Sequence, residues 1–396
     1  MQSKILFYVN QIYMDEPTGQ GSFERGLIES LLGDSNKFGN IDIRVFSVHR
    51  PGLQPKPSDT SSKIKTLPLD KDNYWGYIAH QCCLFWVLGR ELWRCRKKNV
   101  SLYVRYNPSM VSSALLAFLF RRRLVFRTGP VFQSMKVYKP DLNTWVYRFV
   151  APGLWLFCKK AHKIVVITKR VGELVTDSFP FAARKILVVP NGANTNKFSR
   201  LPPKRDTWQL PNDAFVFGYI GHIDVDQGLQ VFIRAMAQAC TEGVKVPHLL
   251  VVGDGPNRRE WQQLAVKLNL SEYIVWAGSR PHHEIPLAIA ACDVMLLPLT
   301  KHSLDVRGTS ATKLFEYLAC DKSVLASRCE DLDFLEKNKI GWLIEPEDVE
   351  AWASAILQLT NMDRAALNLK GRARDLILKE YSFDAVAEKI WSACFD

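Results

Sequence analysis

The most informative stretch of the chain reads Gly308-Thr-Ser-Ala-Thr-Lys-Leu-Phe-Glu-Tyr-Leu-Ala319, and Asp321-Lys-Ser-Val-Leu-Ala-Ser327 follows it. Its residue types predict a loop of small polar residues, a short amphipathic helix and a buried strand. A loop that leads into a helix leaves backbone N–H groups unpaired at the positive end of the helix dipole, which suits a phosphate group. The stretch is therefore either an anion site or an ordinary capped surface helix.

Two charged side chains of this stretch carry its chemistry. Lys313 supplies a mobile cation beside the loop. Glu316 follows one helical turn later, where its carboxylate can accept two hydrogen bonds from a vicinal diol such as ribose. On an ordinary surface helix both side chains would simply be solvated.

This stretch resembles the nucleotide-sugar loop of the family 4 glycosyltransferases, whose pattern is S-P-x-K-L-F-E-Y-x-A-x-G-x-P-V. It matches that pattern over Lys313–Tyr317 and at Ala319. It departs from the pattern at Thr312, Asp321 and Ser323, where the family has proline or asparagine, glycine and proline. The resemblance implies that the chain binds a nucleotide-sugar donor, and a UDP- or GDP-sugar is the expected one.

The resemblance also implies roles for single residues. Lys313 and the loop amides would hold the donor phosphates, Glu316 would hold the ribose, and both are predicted catalytic residues. Gly308 stands where many members carry an earlier glutamate that contacts the sugar, and Asp305 is its expected substitute. The predicted donor-binding residues of this loop are Asp305, Thr309, Ser310, Lys313, Leu314 and Glu316.

Three further segments of the second half resemble the same family. Phe215–Gly221 is a predicted strand that leads into a turn, where His222 and Gln227 replace the arginine and lysine of the family. Because two permanent cations are lost, three outcomes are open. Lys313 and the loop amides carry the phosphate, the donor affinity is low, or the activity has been lost. The predicted donor-binding residues of these segments are Gly221, His222, Gln227, Gly253, Gly278, Ser279 and Arg280.

The first half resembles the family more weakly. Its glycine-rich segment 18–22 is predicted to form a turn before a helix, and Gly21 and Ser22 resemble an acceptor or phosphate loop. A predicted strand ends at Arg127 and Thr128, where many members have a histidine that contacts the sugar, so the resemblance makes these two candidate catalytic residues. An arginine at a strand end that pairs with a nearby acid is the equally open alternative.

Strand and helix patterns alternate along the chain, which predicts doubly wound parallel sheets of the α/β class. At 396 residues the chain suits two lobes rather than one core. The resemblance implies the GT-B architecture, in which two Rossmann-like domains face a cleft and a C-terminal helix crosses back to the first domain. The predicted domains are residues 1–200 for the acceptor, 201–380 for the nucleotide sugar and 381–396 for that helix, with Thr195–Pro211 as the linker.

Basic residues concentrate in the first half. The formal net charge is +12, and lysine and arginine clusters at 94–98, 121–123 and 159–160 lie beside aromatic residues. This pattern is typical of an anionic membrane partner. Nucleic acid is disfavoured as a partner because no reader motif is present, and packed helices with solvated charges are the plain alternative. The aromatic residues are Tyr74, Trp75, Tyr77, Phe85, Trp86, Trp93, Trp145, Tyr147, Phe149, Trp155 and Phe157.

Several features bear on cofactors and location. No apolar run is long enough to span a bilayer, and Lys4–Val9 is too short for the core of a signal sequence. The nine cysteines lack metal-ligand spacing. The adjacent His282 and His283 would diverge on a helix and are expected to be solvated rather than metal ligands. These features predict a cytoplasmic protein, peripheral at the inner face of the membrane, that requires no metal or other cofactor.

The function that the resemblance implies is that of a retaining glycosyltransferase of the hexosyl type. It would transfer a sugar to a glycan or a lipid-linked acceptor in cell-surface polysaccharide or glycolipid biosynthesis. A degenerate, non-catalytic subunit that binds sugar nucleotides or docks on a membrane is one alternative, since the cations are lost. A sugar-nucleotide epimerase is another, because the GT-B fold also hosts epimerases, although no acid–base set for that reaction is identified.

Overall fold

The computed structural model describes residues 4–13, 19–33, 41–49, 63–68, 74–105, 111–129, 153–241 and 246–396. The chain divides into two compact units. The first comprises Met1–Asn191 together with Phe383–Asp396, and the second comprises Gly192–Ser382. The boundary predicted between residues 200 and 201 therefore falls inside the second unit.

A parallel sheet of seven strands forms the centre of the first unit. Its strands are β1 (Lys4–Tyr13), β2 (Ile41–His49), β3 (Ile64–Pro68), β4 (Asn99–Arg105), β5 (Arg123–Thr128), β6 (Lys163–Val166) and β7 (Ile186–Val188). Their order in the sheet is β3-β2-β1-β4-β5-β6-β7. The order reverses between β1 and β4, which makes the sheet doubly wound and places its switch point there. The strands are rich in apolar residues because helices cover both faces of the sheet.

Two helical layers cover this sheet. One layer packs its apolar side chains onto the face that carries Ile5 and Phe7, and the other packs onto the face that carries Leu6 and Tyr8. The helices of the first layer are Tyr74–Arg94, Val111–Leu119, 153–160 and Lys169–Ser178. The second layer consists of the helices Gly19–Gly33 and Phe383–Phe395.

The last helix of the chain thus belongs to the first unit. Phe383 packs edge-on against Phe23 with their ring centroids 5.6 Å apart. Gly26 makes this contact possible, because a Cβ atom at that position would lie 2.0 Å from the Phe383 ring. At the other end of the helix, the Ser101 hydroxyl donates to the carbonyl of Cys394 at 2.7 Å.

A parallel sheet of six strands forms the centre of the second unit. Its strands are β8 (Val216–Ile220), β9 (His248–Val252), β10 (Ile274–Gly278), β11 (Val294–Leu297), β12 (Ser323–Ser327) and β13 (Gly341–Ile344). Their order is β10-β9-β8-β11-β12-β13, so the switch point lies between β8 and β11. The helices are Leu229–Thr241, Arg258–Lys267, Ile285–Ala291, Lys301–Arg307, Thr312–Ala319, Phe334–Lys337, Val349–Asn361 and Arg372–Leu376.

The two sheets and their helices match the predicted α/β class with doubly wound parallel sheets. Each sheet contains one edge strand that the sequence analysis did not identify, namely β3 and β13. Both are short, and each pairs on one side only. Among the described residues, no helix combines the length and the apolar content that crossing a membrane requires.

The segment predicted as a linker, Thr195–Pro211, instead packs against the second unit. Phe198 and Trp208 are buried in its core. The Arg374 guanidinium donates to the carbonyls of Phe198 and Thr195 at 2.8 and 2.9 Å. The prediction relied on proline and charge in the segment, whereas its buried aromatic residues decide its position.

The glycine-rich segment of the first half also differs from its prediction. Gly21 and Ser22 lie in the first turn of the helix Gly19–Gly33 rather than in a turn that precedes it. Gly21 is buried, and the Ser22 side chain lies outside the described residues. Residues 14–18 also lie outside the described residues. The same is true of Trp145, Tyr147 and Phe149, which were predicted to contact the membrane.

We predict that Phe383→Ala lowers the free energy of unfolding by about 3 kcal/mol, because it leaves a cavity against Phe23 and Gly26. Urea denaturation followed by circular dichroism measures this effect. Ser392→Ala is the matched control, since Ser392 is exposed on the same helix. Equal stability of the two variants would show that this helix contributes little to the first unit.

Candidate functional site

The loop that opens the candidate site runs from Gly308 to Ala311, between the helices Lys301–Arg307 and Thr312–Ala319. Gly308 has φ +58° and ψ −157°, a conformation that side chains strongly disfavour. A glutamate at this position would therefore strain the backbone. Thr309 and Ser310 are buried, and the Thr309 amide donates to the Asp331 carboxylate at 3.2 Å. That amide thus already has a protein acceptor.

Lys313 occupies the centre of the site. Its Nζ donates to the Gln227 Oε1 atom at 2.8 Å and lies 4.5 Å from the centroid of the Tyr219 ring. Gly221 gives this amine room, because a Cβ atom there would lie 3.1 Å from Nζ. The fold thus brings three predicted donor-binding residues, Lys313, Gln227 and Gly221, to one point beside the end of β8.

The charge of Lys313 is finely balanced. Burial lowers its pKa to about 7, the Asp224 carboxylate opposes this shift, and the Arg307 guanidinium adds to it. The amine therefore holds its proton less firmly than an exposed lysine does. An anion bound beside it would favour the charged form.

Glu316 faces an unexpected neighbour. Its Oε1 atom lies 3.4 Å from the His282 Nε2 atom, and only 12% of its side chain is exposed. The His282 ring packs edge-on against Phe198 with centroids 5.2 Å apart. His282 lies in the turn before the helix Ile285–Ala291 rather than on that helix. Half of the His282 side chain and 82% of the His283 side chain are exposed, so both remain accessible to solvent as expected, and the contact with Glu316 is the feature that the sequence did not reveal.

Tyr317 anchors the helix that carries both charges. Its hydroxyl donates to the Ile220 carbonyl and accepts from the Ile220 amide, each at 3.0 Å. The side chain is fully buried. These two bonds fix the helix Thr312–Ala319 to the end of β8 and therefore set the position of Lys313.

Three predicted glycines lie at or directly after the ends of the neighbouring strands β8, β9 and β10. Gly221, Gly253 and Gly278 have φ values of +142°, +140° and +69°. The Gly221 amide donates to the Val252 carbonyl and the Gly253 amide donates to the Gly278 carbonyl, both at 2.9 Å. A Cβ atom on Gly253 would lie 1.9 Å from the Gly221 oxygen. Glycine is therefore needed for this close backbone approach.

The residues that replace the family's two cations form a capped turn. His222 is 62% exposed, and its Nε2 atom lies 3.7 Å from the Asp224 carboxylate. The Asp224 side chain also accepts a hydrogen bond from the backbone N–H of Gln227 at 3.0 Å. Gln227 faces Lys313 as an acceptor, so this turn adds no permanent cation of its own beside the amine.

The remaining predicted donor-binding residues lie in different surroundings. Ser279 and Arg280 are exposed, and the Arg280 guanidinium lies 5.5 Å from the centroid of the Trp208 ring. Asp305 is exposed on its helix. Leu314 is fully buried in the core, so its side chain is not available to a ligand.

The predicted residues of the first unit form a separate group. Arg127 is completely buried, donates to the Asn191 Oδ1 atom at 2.7 Å and lies 4.1 Å from the centroid of the Phe23 ring. The Thr128 hydroxyl is buried and donates to the Gly129 carbonyl at 3.1 Å. In the described part of the chain, no three histidine, cysteine or acidic residues form a group able to hold a metal ion.

Comparisons with known proteins concern the second unit and the fold. Residues 214–362 match the family model described as "Glycosyl transferases group 1". An Anabaena protein, HepE, solved in complex with UDP, shares the fold with a TM-score of 0.69 at 18% identity over 98% of each chain. The second unit is thus similar to group 1 glycosyltransferases, and the whole chain shares the fold of HepE.

Two curated relatives match this chain over only part of their own length. A 2-deoxystreptamine glucosyltransferase of Streptomyces kanamyceticus is 28% identical over 37% of this chain and 39% of its own. A putative colanic acid biosynthesis glycosyltransferase, WcaL, of Salmonella typhimurium is 26% identical over 52% of this chain and 50% of its own. The chain thus spans half or less of the length of these relatives.

The sequence analysis did not identify the roles of three residues of the candidate site. His282 lies beside Glu316, and Tyr317 hydrogen-bonds to the end of β8. Arg307 lowers the pKa of Lys313. Tyr317 lies inside the recognised loop pattern, so its identity was visible but its role was not. His282 is far from Glu316 in sequence, and no local pattern links the two.

We predict that UDP binding takes up a proton, because the diphosphate raises the pKa of Lys313 from about 7. UDP affinity should therefore fall as the pH rises from 7 to 9. Isothermal titration calorimetry in buffers of different ionisation enthalpy measures the uptake, and Lys313→Met should abolish it. Unchanged proton uptake in that variant would remove Lys313 from the binding event.

Without UDP, the contribution of Lys313 to folding stability should rise with pH, whereas UDP affinity falls. Its folded-state pKa at Lys313 lies below the ordinary value of 10.5, so the unfolded chain holds more protons between pH 7 and that value. The contribution of Lys313 to stability therefore rises with pH across this window. Comparison of denaturation midpoints for the wild type and Lys313→Met at pH 7 and 9 isolates that contribution.

Proposed function

We propose that the chain is a retaining glycosyltransferase that moves a hexosyl group from a UDP-sugar to a glycan or lipid-linked acceptor. The observation that carries this proposal is the Lys313 amine, held beside Gly221 and Gln227 within the segment that matches the glycosyltransferase model. UDP is favoured over GDP because HepE was solved with UDP. The likeness to a colanic acid glycosyltransferase supports a role in cell-surface polysaccharide synthesis.

The proposed chemistry follows from charge at the leaving group. As the bond between the sugar and the diphosphate breaks, negative charge grows on the diphosphate. Lys313 becomes fully protonated beside that charge and stabilises it, and the partly buried position strengthens the interaction. The Glu316 carboxylate accepts hydrogen bonds from the ribose hydroxyls, and His282 orients that carboxylate. We propose that these groups suffice without a metal ion.

A non-catalytic sugar-nucleotide-binding subunit is the second candidate. The specific observation in its favour is that Gln227 accepts a hydrogen bond from Lys313 where the family has a lysine. Release of UDP from UDP-sugars, measured with and without EDTA, separates the two candidates. Turnover supports the enzyme, and tight binding without release supports the subunit.

We predict that Glu316→Ala weakens UDP binding by about 1.5–3 kcal/mol, the scale of a hydrogen bond to a charged group. Calorimetry at pH 7 measures the change. Glu350→Ala is the control, because Glu350 is exposed elsewhere in the second unit. If the two variants bind UDP equally, Glu316 does not contact the nucleotide.

We predict that Lys313→Met lowers turnover more than it lowers stability, since its cation acts mainly as charge develops on the leaving group. Steady-state UDP release and thermal denaturation measure the two effects. Lys337→Met serves as the control, because this lysine is exposed at a helix end. Full activity of Lys313→Met would mean that the loop amides alone hold the diphosphate.

We also propose that the first unit docks on anionic membranes through a basic–aromatic face. This face comprises the outward sides of the helices Tyr74–Arg94, Val111–Leu119 and 153–160. Trp86, Trp93 and Phe118 are 76%, 61% and 54% exposed on it. Phe157, by contrast, is buried in the core, which corrects its predicted membrane role.

The charges on this face favour anionic lipid. In the described residues 74–105, 111–129 and 153–163 the one acidic residue is Glu91, which is buried and pairs with Arg44, Lys65 and Arg94. The cations also lie directly over the exposed rings. Arg96 covers Trp93 at 5.0 Å, Lys159 covers Trp155 at 4.5 Å and Lys160 covers Phe118 at 4.0 Å.

We predict that the protein co-sediments with phosphatidylglycerol-rich vesicles and that salt weakens this binding without abolishing it. Each basic residue near the surface contributes about 1 kcal/mol, and the aromatic rings add a part that is insensitive to salt. Replacing both Trp86 and Trp93 by alanine should remove the salt-resistant part. Val266→Ala, an exposed apolar change in the second unit, is the control. Equal pelleting with neutral vesicles would contradict the proposal.

A further inference from the structure

Positive charge concentrates at the edge of the first sheet where β4, β5, β6 and β7 begin. The connections that lead into these neighbouring strands are residues 95–99, 120–123, 158–163 and 180–186, and all of them are described. They contain eleven lysine and arginine residues and no acidic residue. We name this surface the amino edge. Its basic residues are Arg96, Lys97, Lys98, Arg121, Arg122, Arg123, Lys159, Lys160, Lys163, Arg184 and Lys185.

Hydrogen bonds fix the connections of the amino edge to one another in pairs. The Arg122 guanidinium donates to the Lys98 carbonyl at 2.8 Å, which joins the connections before β4 and β5. The Lys185 amine donates to the Lys159 carbonyl at 2.9 Å, which joins those before β6 and β7. The basic residues therefore stand on a fixed surface rather than on independent loops.

His162 lies at the centre of the amino edge. Its backbone N–H donates to the Leu124 carbonyl at 2.7 Å, which places it between the starts of β5 and β6. Partial burial lowers the pKa of His162, and the charges of Arg123, Lys163 and Lys185 lower it further. The histidine is therefore surrounded by cations of three different strands.

Ion pairs do not compensate this charge. Among the described residues, no carboxylate forms an ion pair with a basic residue of the amino edge. Three acids flank it in sequence, namely Asp177, Asp396 and Glu91, and Glu91 is buried and paired with other cations. The negative ends of three helix dipoles offset part of the positive charge, and the remainder favours an anionic partner.

Exposed apolar side chains indicate which anion covers this edge. The helices Tyr74–Arg94 and Val111–Leu119 end here, and their last turns expose Trp93, Phe118 and Leu119 by 61%, 54% and 58%. A bilayer offers phosphates to the cations and an apolar layer to these side chains. A nucleic acid offers phosphates but no such layer.

We infer that the amino edge is the lipid-headgroup site of the first unit and that docking there protonates His162. This inference rests on the membrane docking proposed above, and it assigns the lipid phosphates to the residues around His162. The carboxyl ends of the strands lie a strand's length away, about 20 Å for the seven residues of β4. Docking at the amino edge therefore leaves uncovered the end of the sheet where ligands bind.

The coupling to a proton follows from the cations around His162. A lipid phosphate placed among them offsets their repulsion, so the pKa of His162 rises on docking. Docking then takes up a proton, and binding must strengthen as the pH falls from 8 to 6. The expected gain is about fivefold, the effect of one added charge near an anionic surface.

Co-sedimentation with phosphatidylglycerol–phosphatidylcholine vesicles at pH 8, 7 and 6 and constant ionic strength tests this coupling. The phosphodiester of phosphatidylglycerol keeps its charge over this range, so a change in binding reports on the protein. His162→Gln should bind equally at all three pH values. His162→Lys should bind at pH 8 as tightly as the wild type binds at pH 6. His283→Gln is the matched control, since His283 is an exposed histidine of the second unit, and it should keep the pH dependence.

A pair of charge variants tests the location. Arg123→Gln combined with Lys163→Gln should weaken binding to the anionic vesicles tenfold or more. Arg259→Gln combined with Lys267→Gln removes the same net charge from exposed positions of the second unit and should change binding less than twofold. Equal weakening by the two pairs would show that net charge alone drives binding and would overturn the amino-edge site.

The remaining outcomes separate this inference from the proposals on which it rests. Negligible pelleting of the wild type on anionic vesicles at every pH removes both the docking and the amino-edge site. Selective pelleting on anionic vesicles with a pH dependence that survives His162→Gln removes the site alone. Binding of polyuridylate RNA that depends on His162, without such binding to vesicles, would assign the edge to nucleic acid and contradict the inference. Loss of the proposed transferase activity would leave all these measurements unaffected.

Discussion

The position of the Lys313 amine is the constraint on which the second unit depends. The amine lies between the Tyr219 ring, the Gln227 side chain and the Gly221 backbone. Burial there lowers its pKa to about 7, well below the ordinary value of 10.5. Tyr317 maintains this position through two hydrogen bonds to Ile220. A Cβ atom on Gly253 would collide with the Gly221 backbone, and one on Gly221 would crowd the Lys313 amine.

Both units follow one physical principle at the carboxyl ends of their sheets. Each places a cation where solvent cannot fully stabilise it, Lys313 in the second unit and Arg127 in the first. Such groups reduce stability in the absence of a partner and gain strong, directional contacts when an anion arrives. A site of this kind lowers folding stability, and it raises the affinity for an anion and the stabilisation of charge that develops during a reaction.

Much of the fold and part of the site were predictable from local sequence. Apolar strands that alternate with helices determined the parallel, doubly wound sheets, because both faces of such strands must be covered. The loop from Gly308 to Glu316 combined small residues, a cation and a carboxylate at fixed spacing. Local spacing fixes which residues share a helix face, so it placed Lys313 and Glu316 near one another.

Tertiary structure decided what each of these residues contacts. His282 meets Glu316 only because the turn after β10 packs beside the helix Thr312–Ala319, and no local pattern encodes that contact. Phe198 and Trp208 draw the predicted linker into the second core, since their apolar surface outweighs the proline and charge around them. Arg127 has the sequence signature of an ordinary strand-end residue. Its burial comes from the strands and the helix that enclose it.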